Sequence, residues 1–255
     1  MENLLLAYAF MIGLIIGSFL NCFIWRLYKN ESILGRSYCP HCRHKLAWFD
    51  NIPLFSFLFL KGKCRYCQKN ISWQYPLVEF FTALLFTLSL AAMLKAGIYT
   101  PLLLIHSWLF IFSFILIFVY DLRWQVVPMV FIWPLIVIMF TLNVLLGFSP
   151  LILLLIGLAG ALFFALQFLL TQGKGLGEGD IWLGFLMGVS LGRFDLLILA
   201  LILAYFIGAI VGILLLVIYK KKLKTKIALG PFLASGAIIA FLYGNNLLNW
   251  YLHLL

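Results

Sequence analysis

Residues 102–120 read LLLIHSWLFIFSFILIFVY and lead directly into Asp121. An apolar run of this kind matches the roughly 20 residues with which an α-helix crosses the ~30 Å hydrocarbon layer of a bilayer. The rest of the chain has the same character, since 65% of its 255 residues are hydrophobic and 10% are charged. Soluble domains are closer to half apolar and a quarter charged. The sequence therefore predicts an all-α polytopic membrane protein.

Further apolar stretches lie on both sides of this run. Together they predict about eight transmembrane helices, near residues 3–25, 76–95, 101–120, 127–147, 150–171, 181–193, 196–219 and 228–252. The sixth is short, because a helix between Asp180 and Arg193 rises only about 18 Å. We expect the first stretch to be a span rather than a cleaved signal peptide, because it has neither a basic start nor a small-residue cleavage site.

The basic residues fall on one predicted side of the membrane. Sixteen of the eighteen Lys and Arg residues lie in loops that share a face if all eight spans exist, namely 26–75, 121–126, 172–180 and 220–226. The positive-inside rule makes this face cytoplasmic and puts both termini outside. The net charge of +10 thus arises from loops. No basic face interleaved with aromatic residues points to nucleic acid, so membrane lipid is the expected surrounding.

Two CxxC pairs lie in the long loop 26–75, with twenty-one residues between them: Cys39, Cys42, Cys64 and Cys67. Four thiolates can close around one tetrahedral zinc ion, and a short polar loop needs such a staple to fold. We therefore predict a small cytoplasmic zinc-ribbon-like loop domain. Disulfide or other thiol chemistry is the alternative, although the cytoplasm is reducing. His41 and His44 are expected to be bystanders.

Three of the eight acidic residues lie within or at the edge of apolar segments: Glu79, Asp121 and Asp180. Glu79 lies one turn inside the second predicted span, where we expect a cationic partner from the cytoplasmic side. Asp121 ends its span, and alone it would fit a helix-end residue or a partner of Arg123. Asp180 ends the glycine-rich segment 172–180, QGKGLGEGD, and alone it would fit a helix N-cap.

As a pair, Asp121 and Asp180 indicate a specific chemistry, because the predicted topology puts both where a cytoplasmic loop meets a span. Two carboxylates that share one proton can hydrolyse a peptide bond: one accepts a proton from water and the other donates to the carbonyl oxygen. Glycines such as Gly177 and Gly179 let a substrate strand approach closely. The residues predict an intramembrane aspartic peptidase with these two catalytic aspartates, and with Gly177, Gly179 and Glu79 as substrate-binding or loop residues.

An ordered series of motifs runs through the whole chain: Gly17-Ser18-Phe19-Leu20-Asn21, the CxxC pairs with Asp50-Asn51-Ile52-Pro53 between them, Pro76-Leu77-Val78-Glu79, Gly177-Glu178-Gly179-Asp180 and Gly230-Pro231-Phe232. In this order the series resembles the type IV prepilin peptidases of the bacterial inner (cytoplasmic) membrane. The resemblance implies that Asp121 and Asp180 are the two catalytic aspartates of a GxGD peptidase.

The resemblance also implies a substrate and a second activity. Such enzymes cleave the leader of prepilins or pseudopilins after a glycine at the cytoplasmic membrane face. Many then methylate the new N-terminus from S-adenosylmethionine, for which no binding residue is assigned here. The chain would divide into a first transmembrane helix (1–25), a methyltransferase-associated zinc-ribbon loop (26–75) and a membrane-embedded peptidase core (76–255).

Two positions depart from the family's pattern. Met129 follows Pro128 where an acid or amide is frequent, and Trp182 stands where Lys is frequent. Both bear on how polar groups of the substrate are held. Two alternatives remain open: a peptidase that has lost methylation and keeps the zinc loop for folding, or a transporter or pilus-assembly scaffold whose acids bind cations or protons.

Overall fold

The computed structural model describes residues 2–173, 175–218 and 228–253. Helices dominate this part of the chain, with only two isolated β-bridges in it, so the all-α prediction is confirmed. A 3₁₀ turn covers Trp48–Asn51. The α-helices are α1 (Glu2–Lys29), α2 (Phe55–Phe59), α3 (Gln74–Ala96), α4 (Pro101–Trp124), α5 (Met129–Leu145), α6 (Pro150–Thr171), α7 (Glu178–Leu191), α8 (Phe194–Val217) and α9 (Gly230–Leu252).

Six of the described helices are long and apolar enough to cross a membrane: α1, α3, α4, α6, α8 and α9. The chain is therefore a multi-pass membrane protein. Helices α5 and α7 coincide with the other two predicted spans but have only 17 and 14 residues. With about 1.5 Å of rise per residue, α7 is about 21 Å long and shorter than the hydrocarbon layer. The count of eight spans stays a prediction.

The chain forms two compact units, Met1–Phe112 and Ser113–Leu255. In the first unit, α1 and α3 pack with their backbones in contact. A Cβ atom at Gly13 would lie 2.4 Å from Cα of Ala83, and one at Gly17 would lie 2.7 Å from Cα of Glu79. Small residues at such a contact are what allows two membrane helices to approach closely.

The loop between α1 and α3 is attached to the end of α1 by Arg26. The side chain is buried, and its guanidinium donates hydrogen bonds to three backbone carbonyls, those of Ile33, Gly35 and Arg36. Each CxxC pair then lies in a tight turn closed by one antiparallel bridge, Tyr38 with Lys45 and Lys63 with Asn70. The two turns are the knuckles that the cysteine spacing predicts.

In the second unit, glycines fix α7 against α6. A Cβ atom at Gly184 would lie 2.5 Å from the carbonyl oxygen of Gly160, and one at Gly188 would lie 2.4 Å from that of Ile156. From α5, the amide of Asn143 donates a 2.7 Å hydrogen bond to the carbonyl oxygen of Val189, near the end of α7. These contacts set the position of α7 along its axis, and therefore that of its first turn.

Candidate active site and candidate metal centre

Asp121 lies in the last turn of α4 and is 5% exposed. Its Oδ2 accepts a 2.8 Å hydrogen bond from the backbone N–H of Gly230, the first residue of α9. The first N–H groups of a helix have no partner within the helix, so this one is free to bind a carboxylate. A Cβ atom at Gly230 would lie 2.5 Å from the same Oδ2, so a side chain at this position would displace the carboxylate.

Asp180 is the third residue of α7 and is 8% exposed. Its Oδ2 accepts a 3.0 Å hydrogen bond from the backbone N–H of Gly177, the N-cap residue. This is the carboxylate half of a capping box. Asp180 therefore lies inside the first turn of the helix, and the N-cap position belongs to Gly177.

The two aspartates are close enough in the second unit for the charge of Asp121 to act on Asp180 through space. In both residues Oδ2 is held by a main-chain N–H, while neither Oδ1 has a donor within the described ranges. Two buried carboxylates, each anchored on one oxygen and open on the other, can divide the roles of base and acid toward one water molecule.

Gly179 allows the turn that carries Asp180 to touch the loop that follows Asp121. A Cβ atom at Gly179 would lie 2.7 Å from Cβ of Val127, which precedes α5. At Gly177, by contrast, a Cβ atom would make an ordinary 3.8 Å contact with Oδ2 of Asp180. The two glycines thus act differently: Gly179 provides close packing, and Gly177 provides the N–H donor.

Glu79 belongs to the first unit, and the cationic partner expected for it is not found among the described residues. Neither of the ion pairs in the described residues includes it. Its Oε2 instead accepts a 2.8 Å hydrogen bond from the backbone N–H of Leu54, and the hydroxyl of Ser18 also bonds to the carboxylate. Leu54 has a φ of +59°, so Glu79 holds a strained turn in the loop. The contacts of Glu79 therefore attach the loop to α3.

Trp182, one of the two departures from the family's pattern, packs against α5. Its ring centroid is 3.9 Å from that of Trp133. Residues two apart on a helix do not share a face, so Trp182 points away from the side that carries Asp180. The other departure, Met129, is the first residue of α5.

The four cysteines that were predicted to bind zinc form one cluster in the first unit. Their Sγ atoms all lie within 4.8 Å of one another, and the Sγ atoms of Cys39 and Cys67 are 3.9 Å apart. Zn–S bonds of about 2.3 Å in a tetrahedron place sulfurs about 3.8 Å apart, so the donor set fits zinc. All four cysteines are free thiols. The cluster contains no histidine, and His44 stacks on Tyr66.

The thiols of the cluster differ in acidity. Burial disfavours the thiolate of Cys39, but backbone hydrogen bonds from Cys42 and His41 outweigh this and lower its pKa to about 7. The backbone N–H of Lys69 favours the thiolate of Cys67, but burial and the adjacent sulfurs raise its pKa to about 11. Close thiols resist joint ionisation, so a bound divalent cation would be needed to hold four thiolates.

Asp50 connects the segment that follows the first knuckle to the second knuckle. Its carboxylate accepts hydrogen bonds from Arg65, Tyr66 and the backbone N–H of Ala47, at 2.9, 3.1 and 3.2 Å. Burial works against its charged form, but these hydrogen bonds, that of Arg65 foremost, hold the pKa of the carboxyl below its ordinary value. Asp50 therefore stays ionised at neutral pH and ties the 3₁₀ turn Trp48–Asn51 to the second CxxC turn.

Sequence reasoning missed the partners of the aspartates. Gly230 was recognised only as part of a motif, and its N–H was not paired with Asp121. Tyr205 was missed as well: its hydroxyl donates a 2.7 Å hydrogen bond to Oε1 of Gln167, and it lies within electrostatic reach of Asp180. The signal in the sequence was a polar side chain within each of two strongly apolar helices.

Two protein-family models match successive parts of the chain. The Bacterial Peptidase A24 N-terminal domain matches residues 11–93, and the Type IV leader peptidase family matches residues 108–213. No solved structure matches the chain significantly.

Whole proteins match as well. A prepilin leader peptidase/N-methyltransferase of Aeromonas hydrophila is 36% identical, over 95% of this chain and 92% of the relative. Its counterpart in Bacillus subtilis (strain 168) is 34% identical, over 97% and 98%. One from Legionella pneumophila is 36% identical, over 88% and 78%. With both family models matched and relatives aligned along nearly its full length, this chain belongs to the type IV leader peptidase family.

Proposed function

We propose that this protein cleaves the leader peptide of type IV prepilin-like proteins, prepilins or pseudopilins, with Asp121 and Asp180 as its catalytic residues. One observation carries the assignment: both buried carboxylates are held through Oδ2 by a glycine N–H and lie within electrostatic reach of each other, and no described residue donates to either Oδ1. The names of the relatives support the substrate class and the N-methylation that follows cleavage.

The proposed reaction needs one proton shared between the two aspartates. The ionised carboxylate removes a proton from water, and the hydroxide attacks the carbonyl carbon of the scissile peptide. The protonated carboxyl donates to the carbonyl oxygen and so stabilises the tetrahedral intermediate. As the C–N bond breaks, the leaving amine takes from the first carboxyl the proton that came from water. The oxygen that was protonated gives its proton back to the second carboxylate, so the pair again holds one proton. The Gly230 and Gly177 donors hold the carboxylates in position throughout.

The location of the pair suits a substrate with a polar leader and an apolar helix. Asp180 lies in the first turn of the short helix α7, whose axial position is fixed by Gly160, Gly184 and Gly188. A substrate helix that lies in the bilayer beside this unit would bring its polar N-terminal junction to the level of such a turn. Cleavage after a glycine at the cytoplasmic face follows from the family.

The test is cleavage of a prepilin by the purified protein in detergent, scored by mass spectrometry. We expect Asp121→Asn and Asp180→Asn each to abolish the shortened product while the protein keeps its thermal unfolding profile. Glu178→Gln is the matched control, because it neutralises an exposed acid in the same turn, and it should cleave normally. Cleavage by either aspartate variant at near the wild-type rate would remove that residue from the mechanism.

We further propose that the loop 26–75 is a structural zinc domain associated with N-methylation from S-adenosylmethionine. The four clustered thiols support the zinc part. Metal analysis should give about one zinc per chain for the four-thiolate set, lost in the Cys39→Ser/Cys64→Ser variant. A stable, metal-free wild type would contradict it. The second activity is tested by a methyl group on the shortened product that appears only when S-adenosylmethionine is added. An unmethylated product would indicate a peptidase without methyltransferase activity.

The topology and the domain division are proposals too. The charge distribution favours a cytoplasmic loop 26–75 with both termini outside, in the bacterial inner membrane. The proposed parts are the first helix (1–25), this loop and a peptidase core (76–255). Reporter fusions after Tyr28 and after Leu255 test the orientation, since alkaline phosphatase is active only outside the cytoplasm. An active fusion after Tyr28 or an inactive one after Leu255 would overturn it.

A further inference from the structure

The loop between the two CxxC pairs presents large apolar side chains that the described part of the chain leaves exposed. Four of them define what we call the aromatic patch: Trp48, Phe55, Leu58 and Phe59, which are 79%, 55%, 69% and 83% exposed. Unlike the apolar residues of the long helices, they lie outside the predicted spans. An exposed apolar cluster of this kind in an extramembrane segment indicates an interaction surface.

Helix α2 has two different faces. Phe55, Leu58 and Phe59 follow the i, i+3, i+4 spacing that places side chains on one side of a helix. On the other side, Phe57 packs over Gly62 and against the ring of Trp73, with 5.0 Å between ring centroids. One face of α2 thus packs on other residues of the loop through Phe57, while the opposite face remains exposed.

The patch is attached to α3 near the level at which that helix enters the membrane. Leu54, which immediately precedes α2, donates its N–H to Glu79. Glu79 lies five residues into α3, which begins at Gln74. Five residues rise about 7.5 Å along a helix, so α2 starts beside the second turn of a predicted span. The hydroxyl of Ser56 also bonds to the carbonyl oxygen of Asp50, which holds α2 on the loop.

The charge around the patch is strongly basic. Lys61 and Lys63 follow α2 directly, and both are exposed. The whole loop 26–75 holds nine Lys and Arg residues against two acids, Glu31 and Asp50. Aromatic and aliphatic side chains next to exposed lysines are the combination that binds the surface of a membrane containing anionic lipids.

We propose that the aromatic patch inserts into the interface of the bilayer that α1 and α3 span, with Lys61 and Lys63 on anionic headgroups. The partner is lipid because the patch is apolar, its border is basic, and its attachment at Glu79 brings it to the membrane surface. A second protein or another part of this chain would be the competing occupant.

Photocross-linking of the full-length protein in nanodiscs that contain phosphatidylglycerol tests this proposal. Phe59 is replaced by p-benzoylphenylalanine, and the control variant carries it at Gln68, an exposed polar position beside Cys67. We expect lipid adducts by mass spectrometry from position 59, at least about five-fold above position 68 for a headgroup-bound surface. Adducts to this chain, to a second protein, or no excess over position 68 would overturn the proposal.

A second variant tests the charge. Lys61→Gln/Lys63→Gln, with the photoreactive group kept at position 59, should shift adducts from phosphatidylglycerol toward phosphatidylcholine in mixed nanodiscs. An unchanged lipid ratio would contradict the headgroup contact. Prepilin cleavage by these variants reports on Asp121 and Asp180 separately, so a failure of the lipid proposal is distinguishable from a failure of the proposed function.

Discussion

The backbone N–H of Gly230 donates to Oδ2 of Asp121 across 2.8 Å, joining the first residue of α9 to the last turn of α4. The donor belongs to the main chain at a helix N-terminus, where N–H groups lack helical partners. Gly177 and Asp180 repeat the arrangement within α7. Two aspartates of different helices are thus oriented in the same way, and each has one oxygen without a donor among the described residues.

Gly230→Ala should inactivate the peptidase. The added Cβ would lie 2.5 Å from Oδ2 of Asp121, so the carboxylate must move. A displacement of about 1 Å at a reacting group can reduce a rate by about 100-fold. Gly212→Ala is the matched control, because a Cβ there meets nothing within 4 Å. Initial cleavage rates of both variants check this, and an active Gly230→Ala enzyme would contradict it.

Gly179→Ala should also impair cleavage, and a second substitution should restore it. The added Cβ would lie 2.7 Å from Cβ of Val127. Val127→Ala keeps that Cβ and should not rescue, whereas Val127→Gly removes it and should. Cleavage by the two double variants separates these outcomes. Equal activity of both would show that contact with Val127 is not what requires a glycine.

Asn143→Leu should destabilise the protein. The amide donates to the carbonyl oxygens of Val189 and Ser190, and a leucine of similar size cannot. Interhelical hydrogen bonds in membranes contribute about 0.6–2 kcal/mol, so Tm should fall by a few degrees. Thr141→Val, which removes a bond within α5 only, should change Tm less. Thermal unfolding in detergent is the measurement, and equal shifts would contradict the assigned role.

Asp50→Asn should loosen the metal centre. The depressed pKa of Asp50 means that its contribution to stability is present above the unfolded value of about 3.9 and is lost as pH falls through the lower folded value. At pH 6–8 the carboxylate stays ionised, so the variant should lose zinc to a chelator faster by the same factor across that range. Glu31→Gln, at an exposed acid bonded to Tyr38, is the control. A factor that changes steeply with pH would contradict this reading.

The sequence predicted the helices well where apolar length decides them, and less well at their ends. Helix α1 was expected to stop near residue 25 but continues to Lys29, because its last turn holds Arg26, whose guanidinium finds three carbonyls in the loop. Helix α7 begins at Glu178 rather than 181. Its N-cap is a glycine without a capping side chain, so no residue type marks the start.

The two aspartates of the candidate site could be predicted from the sequence, but the N–H groups that donate hydrogen bonds to them could not. Asp121 and Asp180 could be selected because carboxylates are rare in apolar sequence and the charge distribution placed both on one side. Their donors are backbone N–H groups, which every residue except proline carries, so no pattern identifies which one will be used. The same reason explains Glu79, whose donor is the N–H of Leu54, 25 residues away.

The main-chain origin of these donors also bears on inhibition. A compound that binds the open oxygens of Asp121 and Asp180 would engage atoms whose supporting hydrogen bonds come from the peptide backbone. A point mutation can exchange a side-chain donor for another chemical group, but it leaves an amide N–H in place unless it introduces proline. Drug resistance would therefore have to arise from residues around the carboxylates, where substitutions such as those at Gly230 or Gly179, in the first turns of α9 and α7, also threaten the enzyme's own activity.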